Sequence, residues 1–294
     1  MSWEIRENET YGFQEVVPRP SAEELRQYYA DKYYEGGSIY QTSYTEEERR
    51  YLTNKIAQKD EALKSYLLGD QTTSLLDVGC GEGFTLAYYL AKGWEVRGID
   101  FTDTGLNQFH PELRDRVTVG NIFDEMDRLC REENRFDVIW LDNVLEHVAD
   151  PVRLIKTCHL LCAPNGVLVV EVPNDFSGLQ KALSDRNRVS KKYWIAHPDH
   201  LNYFTRTSLI RLCEGNGWDM GRVLGDFPIE WFLMNGHSNY VEDRSKGRAA
   251  HEARIFLENF LHREVEEPDV LNGFFEALAK TGQGRQLIGF FIRV

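Results

Sequence analysis

The chain has 294 residues, a formal net charge of −13 and a pI near 5.2, a length that suits one α/β domain of ordinary size with additions, or two small ones. Such acidity argues against a broad nucleic-acid footprint or an anionic membrane surface, and no apolar run approaches the ~20 residues of a membrane span. Five cysteines (Cys80, Cys130, Cys158, Cys162 and Cys213) form no C-x-x-C pair, and the start Met-Ser-Trp-Glu-Ile-Arg-Glu is no signal peptide, so reduced thiols and a cytoplasmic location are expected, with no nucleic-acid or membrane partner.

Residues 1–70 are polar and tyrosine-rich, with helical patterning from Ser21, an N-cap before Glu23 and Glu24, and again from Thr45. Tyr28, Tyr29, Tyr33, Tyr34, Tyr40 and Tyr44 lie between these helices around Gly36-Gly37. They are read either as packing onto the main domain or as an aromatic lid over a bound ligand.

Residues 71–225 alternate strand and helix signals. Strands are expected at 74–78, 94–99, 116–119, 136–141 and 166–172, with helical segments near 84–92, 104–109 and 151–162. That alternation predicts a doubly wound, mostly parallel sheet with helices on both faces and every ligand loop at the carboxyl ends of the strands. Leu75-Leu76-Asp77-Val78-Gly79-Cys80-Gly81-Glu82-Gly83 is the most informative stretch. It reads as a buried strand, a tight turn and a helix start. Its glycine spacing is shorter than the dinucleotide fingerprint G-x-G-x-x-G, and an acid stands in front. The loop therefore suits a ligand with a charged amino-acid tail better than a pyrophosphate. Seventeen residues past Gly83, the next strand ends on Asp100. A carboxylate there lies beside the ribose of a nucleotide, and Phe101 follows as a face for adenine; the alternative is that Asp100 only caps a turn.

Taken with Gly120-Asn121-Ile122, the run Phe136 to Val148, Pro164 to Leu168 and His197 to Thr205, these residues resemble class I S-adenosylmethionine-dependent methyltransferases. The resemblance covers roughly residues 70 to 225 and lies nearest the branch of ubiquinone-type and sugar or natural-product O- and N-methyltransferases. It implies a seven-stranded sheet whose last two strands, near 218–224 and 285–294, give an antiparallel-edged finish. It also implies that Asp77 and the loop Gly79, Cys80, Gly81 and Gly83 hold the methionine end of S-adenosylmethionine, with S-adenosylhomocysteine as product. Asp100 would hold the ribose, Phe101, Asn121 and Ile122 the adenine, and the Asp142 backbone would complete the methionine pocket. Many family members carry aspartate where Asn121 stands.

Displacement at a sulfonium methyl asks the protein for in-line positioning, exclusion of water and, for a hydroxyl nucleophile, proton removal. Two histidines compete for that last role. His147 follows the fourth strand and His200 the fifth, both at the ligand edge, and imidazole titrates near neutral pH. Each has a structural alternative, His147 holding its loop through Glu146 and His200 bonding backbone beside Tyr203. No catalytic metal is expected, because Asp142 and Asn143 are adjacent and Asn174-Asp175 reads as a turn after Pro173.

Residues 226–284 form a long insertion before the final strand, including a helical stretch from Ala249 to His262 and a solvated acidic turn over Glu264 to Asp269. A connection of that length with its own structure is usually functional. Here it is read as the acceptor side, with a homodimer surface as the alternative. His197, Tyr203, Trp231 and His237 are the substrate-binding candidates. The resulting expectation is methyl transfer to a hydroxyl of a small molecule: a sugar, a nucleotide-sugar or a natural product. N-methylation of an amino-sugar, a non-catalytic S-adenosylmethionine sensor and an NAD-dependent oxidoreductase stay open as alternatives.

Overall fold

The computed structural model describes residues 3–21, 24–25, 28, 43–67 and 73–294. Tyr29, Tyr33, Tyr34, Tyr40 and the Gly36-Gly37 hinge of the expected lid lie outside the described residues. The strands in chain order are β1 (Glu4–Glu7), β2 (Gln14–Val17), β3 (Ser74–Val78), β4 (Glu95–Asp100), β5 (Val117–Val119), β6 (Phe136–Asp142), β7 (Cys162–Pro173), β8 (Asn202–Tyr203), β9 (Trp218–Gly225) and β10 (Gln286–Arg293). Seven of them form one sheet in the order β5-β4-β3-β6-β7-β10-β9. The five strands from β3 to β7 are mutually parallel, and β10 runs antiparallel to both β7 and β9. The expected fold class and its antiparallel finish are observed.

Parallel strands covered on both faces carry near-continuous apolar runs, and here the two-residue period sorts those runs into two cores. Leu76, Val78, Ile139, Leu141, Leu168 and Val170 pack on one face with Met126, Leu129, Leu154, Ile155, Leu209 and Leu212. Leu75, Val138, Trp140 and Val169 pack on the other with Ile56, Leu63, Leu86, Tyr89, Phe275 and Leu278. The second face matters for function. By the same alternation it carries Asp77, Asp100, Asp142 and Glu171, the acids at or near the carboxyl ends of four strands. The helix covering it is Glu46–Lys64, started by a capping box between Thr45 and Glu48.

The insertion begins and ends at the ligand edge, because Gly225 at the end of β9 pairs with Leu287 at the start of β10. It holds the short helix Glu230–Leu233 and the helices Gly247–Glu264 and Pro268–Lys280.

Several elements go beyond the sequence expectations. The first residues form a hairpin, β1 on β2, that extends to β8 through Gln14↔Tyr203 and Glu15↔Asn202. Its anchors are the buried Phe13 and Val16. A helix at Ile122–Arg131 buries Met126 and Leu129, and the Pro268–Lys280 helix buries Leu271, Phe275 and Leu278. The five cysteines are free thiols. No helix among the described residues is long and apolar enough to cross a membrane.

Candidate active site

The half of the site at β3 and β4 is made mainly of backbone. Gly79 and Gly83 have φ of +78° and +83°, a region that only glycine enters cheaply. A Cβ on Gly79 would stand 2.4 Å from Val144 Cγ2, and one on Gly83 would stand 2.6 Å from Leu106 Cδ1. The loop folds back on β4, with the Gly79 N–H donating to the Ile99 carbonyl at 2.7 Å. Asp100 braces it, accepting from the Gly81 N–H at 2.8 Å on one oxygen and the Thr102 N–H at 3.1 Å on the other. Burial raises the Asp100 pKa, and those amides oppose the rise. A carboxylate offers about four acceptor sites, so Asp100 can take ribose hydroxyls in addition to these amides.

Asp77 is buried, and its Oδ1 has no hydrogen-bond partner. Burial, then the neighbouring carboxylates of Asp142 and Asp100, push its pKa well above the usual range. An ammonium brought to this loop would relieve both the charge and the orphaned oxygen. A glycine cradle, an unsatisfied buried carboxyl and a strand-end acid with spare lone pairs together fit the amino-acid tail and ribose of S-adenosylmethionine.

Around this core, Tyr44 donates to Glu82 at 2.7 Å and its ring packs on Phe84 and Phe109. Phe101 is half exposed beside Asp100. Asn121 spends its side-chain oxygen capping the Ile122–Arg131 helix, accepting from the Phe123 N–H at 3.0 Å. That leaves its amide nitrogen for an adenine edge. Ile122 is partly buried, and Cys80 is buried as a small packing residue.

At β6 and β7 the site is made of side chains. Lys59, on the Glu46–Lys64 helix, places Nζ 2.7 Å from Asp142 Oδ2 and in contact with Glu171 Oε2. It lies over the Trp140 ring, 5.4 Å from its centroid. Burial pulls the Lys59 pKa down, but Asp142 and Glu171 outweigh it and hold the pKa above the ordinary lysine value. A second set of buried charges continues outward. Lys55 pairs with Glu258 at 3.3 Å, and Arg254 pairs with Glu258 at 3.1 Å and Asp226 at 3.4 Å. These contacts bind the Gly247–Glu264 helix of the insertion to the Glu46–Lys64 helix.

The two candidate histidines are not separate. The loops that carry them are stitched together by the Leu201 and Asn202 N–H groups donating to the Glu146 carbonyl at 2.8 and 3.1 Å. Asn202 Nδ2 adds bonds to the carbonyls of Leu145 and Val148. The rings of His147 and His200 meet edge to face with centroids 4.8 Å apart. His147 Nδ1 lies 2.8 Å from the Asp199 backbone carbonyl, which makes Nδ1 the protonated nitrogen and leaves the lone pair on Nε2. That Nε2 stands 3.9 Å from Glu146 Oε1. One ligand atom each from Glu146, His147 and His200 falls within 4.8 Å of the others.

The structure therefore gathers Asp77, Gly79, Gly81, Gly83, Asp100, Asp142, His147 and His200 at the carboxyl ends of the strands. Tyr203 joins them as a support, its buried hydroxyl donating to the His200 carbonyl at 3.0 Å. His197 is stacked on Trp3 of the N-terminal hairpin, centroids 4.3 Å apart, and burial lowers its pKa. Trp231 is partly exposed and donates from Nε1 to Gln283 at 2.7 Å. His237 is exposed in the turn after Asn235. Sequence reasoning missed Lys59, Lys55 and Arg254, while Tyr44 was named only among the tyrosines of the expected lid. One signal was present: Lys59 falls at i+3 from Ile56 and four before Leu63, inside the apolar stripe of an otherwise polar helix.

A family described as the methyltransferase domain matches residues 44–222. Ubiquinone biosynthesis O-methyltransferases of Coxiella burnetii are 36% identical over 103 residues, a segment covering 34% of this chain and 43% of theirs. The chain thus spans less than half the length of those curated relatives. A ubiquinone biosynthesis O-methyltransferase of Psychrobacter arcticus is 33% identical over 197 residues, covering 63% of this chain and 76% of the relative. Among solved structures, 1,6-didemethyltoxoflavin-N1-methyltransferase of Burkholderia thailandensis, with 1,6-didemethyltoxoflavin and S-adenosylhomocysteine bound, is 15% identical with a TM-score of 0.53 over 99% of each chain. A SAM-dependent methyltransferase from Archaeoglobus fulgidus is 15% identical with a TM-score of 0.52, covering 91% of this chain and 99% of that one. At these identities the structural likeness carries the fold alone.

Proposed function

The chain belongs to the methyltransferase-domain family, and on that premise we propose that it transfers a methyl group to a hydroxyl of a small-molecule acceptor, with the His147–His200 pair as proton acceptor. It is an S-adenosylmethionine-dependent enzyme. When bound, that cofactor supplies an electrophilic methyl on a sulfonium. The chain's own residues do the remaining work. Asp77 and the amides of the glycine loop hold the amino-acid tail, and Asp100 holds the ribose. Lys59 fixes the Asp142 carboxylate and through it the β6 end of the pocket. His147 Nε2 takes the hydroxyl proton as the oxygen attacks, while the Asp199 carbonyl on Nδ1 stabilises the imidazolium that forms. A sugar, a nucleotide-sugar or a natural product is the expected acceptor class, presented from the side of the insertion.

One observation carries this reading: the histidines from two loops form a single pair at the ligand edge, with the Asp199 carbonyl accepting from His147 Nδ1. The test is S-adenosylhomocysteine release across a panel of catechols, sugars and other hydroxylated metabolites. With the acceptor that turns over, His147→Ala and His200→Ala should each lower kcat by roughly 10²–10⁴-fold while affinity for S-adenosylmethionine stays within about twofold. Activity should persist in EDTA, because His147 and His200 then act through protons rather than through a cation shared with Glu146. Full turnover in both variants would discard the base. Tight cofactor binding with no turnover on any acceptor would favour a sensor.

A further inference from the structure

Two buried carboxyl groups on the β6 and β7 side are only half satisfied. Glu146 is 1% exposed, and its Oε2 has no hydrogen-bond partner. Asp175, equally buried, accepts from Arg285 Nη1 at 2.5 Å on Oδ1, while Oδ2 has only the Gln180 amide beside it, short of full hydrogen-bond geometry. The groups sense one another. Burial and then the Asp175 charge, with Asp142 and Glu171 behind it, push the Glu146 pKa well above the usual carboxylate range. Leaving a buried acceptor unmade costs about 1–3 kcal/mol, more when it is charged. Orphaned oxygens at a site edge are therefore better explained by a missing donor than by packing.

The cations near them are already engaged. Lys59 is held between Asp142 and Glu171, and Arg285 by Asp175. Six acids (Asp77, Asp100, Asp142, Glu146, Glu171 and Asp175) thus face two such cations, and the bound cofactor adds a sulfonium at the donor side only. An anionic group entering beside Glu146 would find the neighbouring Lys59 and Arg285 already paired and carboxyl oxygens in place of a cation. A third orphan gives the sense of the match. Trp194 is buried, its ring edge-to-face with Phe176, the residue after Asp175, and its Nε1–H lacks an acceptor. A hydroxyl both donates and accepts, so a polyol answers the two carboxyls and the indole together. An ammonium answers only the carboxyls.

Resting on the methyltransferase reading above, we propose that Glu146 and Asp175 form a hydroxyl-recognising wall of the acceptor site, which selects a polyol whose entering part carries no carboxylate or phosphate. A nucleotide-sugar would have to keep its pyrophosphate outside this wall. Glu146 and Asp175 act here by binding, and the proton is still taken by the histidine pair.

The test uses the full chain saturated with S-adenosylhomocysteine and four probes on one carbon skeleton: methyl α-glucoside, glucosamine, glucuronate and glucose 6-phosphate. Dissociation constants come from ligand-observed NMR. The neutral and amino probes should bind at least about tenfold more tightly than the two anions, equivalent to about 1.4 kcal/mol. In Glu146→Gln, with an unchanged melting profile, that gap should shrink severalfold. In Asp175→Asn, which frees Arg285, the anions should gain. Equal or tighter binding of glucuronate or glucose 6-phosphate by the native chain overturns the proposal. So does the absence of binding by both uncharged and amino probes, or a gap that Glu146→Gln leaves intact. Because the readout is binding rather than turnover, a chain that binds methyl α-glucoside yet never methylates would refute the enzymatic mechanism and leave the wall standing.

Discussion

The two halves of the site are built from different material. At β3 and β4 the candidate cofactor cradle is backbone: three left-handed glycines, loop amides and one acid bracing the turn. At β6 and β7 the walls are side chains gathered from the Glu46–Lys64 helix, two histidine-bearing loops and the turn after β7. A backbone cradle fixes one ligand shape and tolerates almost no change at its glycines. A side-chain wall can be rewritten residue by residue on the same sheet. That division matches a chemistry in which the donor is constant and the acceptor varies across one fold.

The sharpest way to break this comparison is to remove the cation that holds the side-chain half. Lys59→Met leaves Asp142 and Glu171 facing each other in a buried site, and removing one member of such a cluster costs roughly 3–5 kcal/mol. Chemical denaturation should show that loss, and Lys59→Met/Glu171→Gln should recover part of it. Unchanged stability in the single variant would mean the wall stands without its ion cluster. The matching cut in the backbone half is Gly79→Ala. Left-handed φ and a Cβ 2.4 Å from Val144 Cγ2 should weaken S-adenosylmethionine binding about 100-fold by calorimetry, while global stability falls by only about 1–2 kcal/mol. A cofactor affinity near that of the native chain would show that the cradle is more plastic than its geometry implies.

The same division decides what the sequence made legible. The cradle lies within one contiguous stretch, Asp77 to Gly83, plus Asp100 one crossover later, so glycine spacing and strand-end acids exposed it. The existence of β3 to β7 as strands of a parallel sheet followed from apolar runs of strand length. The side-chain half resisted because its members are far apart in sequence and near only in space. Lys59 and Asp142 are 83 positions apart and Asp175 and Arg285 are 110 apart. His147 and His200 were each identified, but their contact depends on Asn202 pinning one loop to the other. The N-terminal hairpin escaped notice for a similar reason. Its four-residue strands carry a weak alternating signal, and β2 gains its partner from β8, nearly 190 residues later.

pH offers the mildest test of the same contrast, through His262 on the insertion helix Gly247–Glu264. Its imidazole is partly buried, with Nε2 lacking a hydrogen-bond partner. Burial, helped by the Lys55 charge and opposed by Glu258, lowers its pKa to about 4. An unfolded chain protonates the same ring near 6.5. Between those values the unfolded state binds a proton that the folded state refuses, so folding is favoured less as pH falls. This contribution is complete above about pH 6.5, declines on the way to about pH 4 and is flat below. Partial exposure screens the effect, leaving on the order of 1 kcal/mol. Carboxylates such as Asp77 and Glu146, whose folded pKa values are raised, push in the opposite direction, so the raw acid profile mixes both signs. The difference between native and His262→Gln melting curves isolates the ring. The native chain should lose a few degrees relative to the variant between pH 6.5 and 4.5, while S-adenosylhomocysteine affinity at pH 7.5 is the same in both. Parallel melting curves would release His262 from the buried charge cluster. A change in cofactor affinity would mean that the insertion reaches across to the backbone half after all.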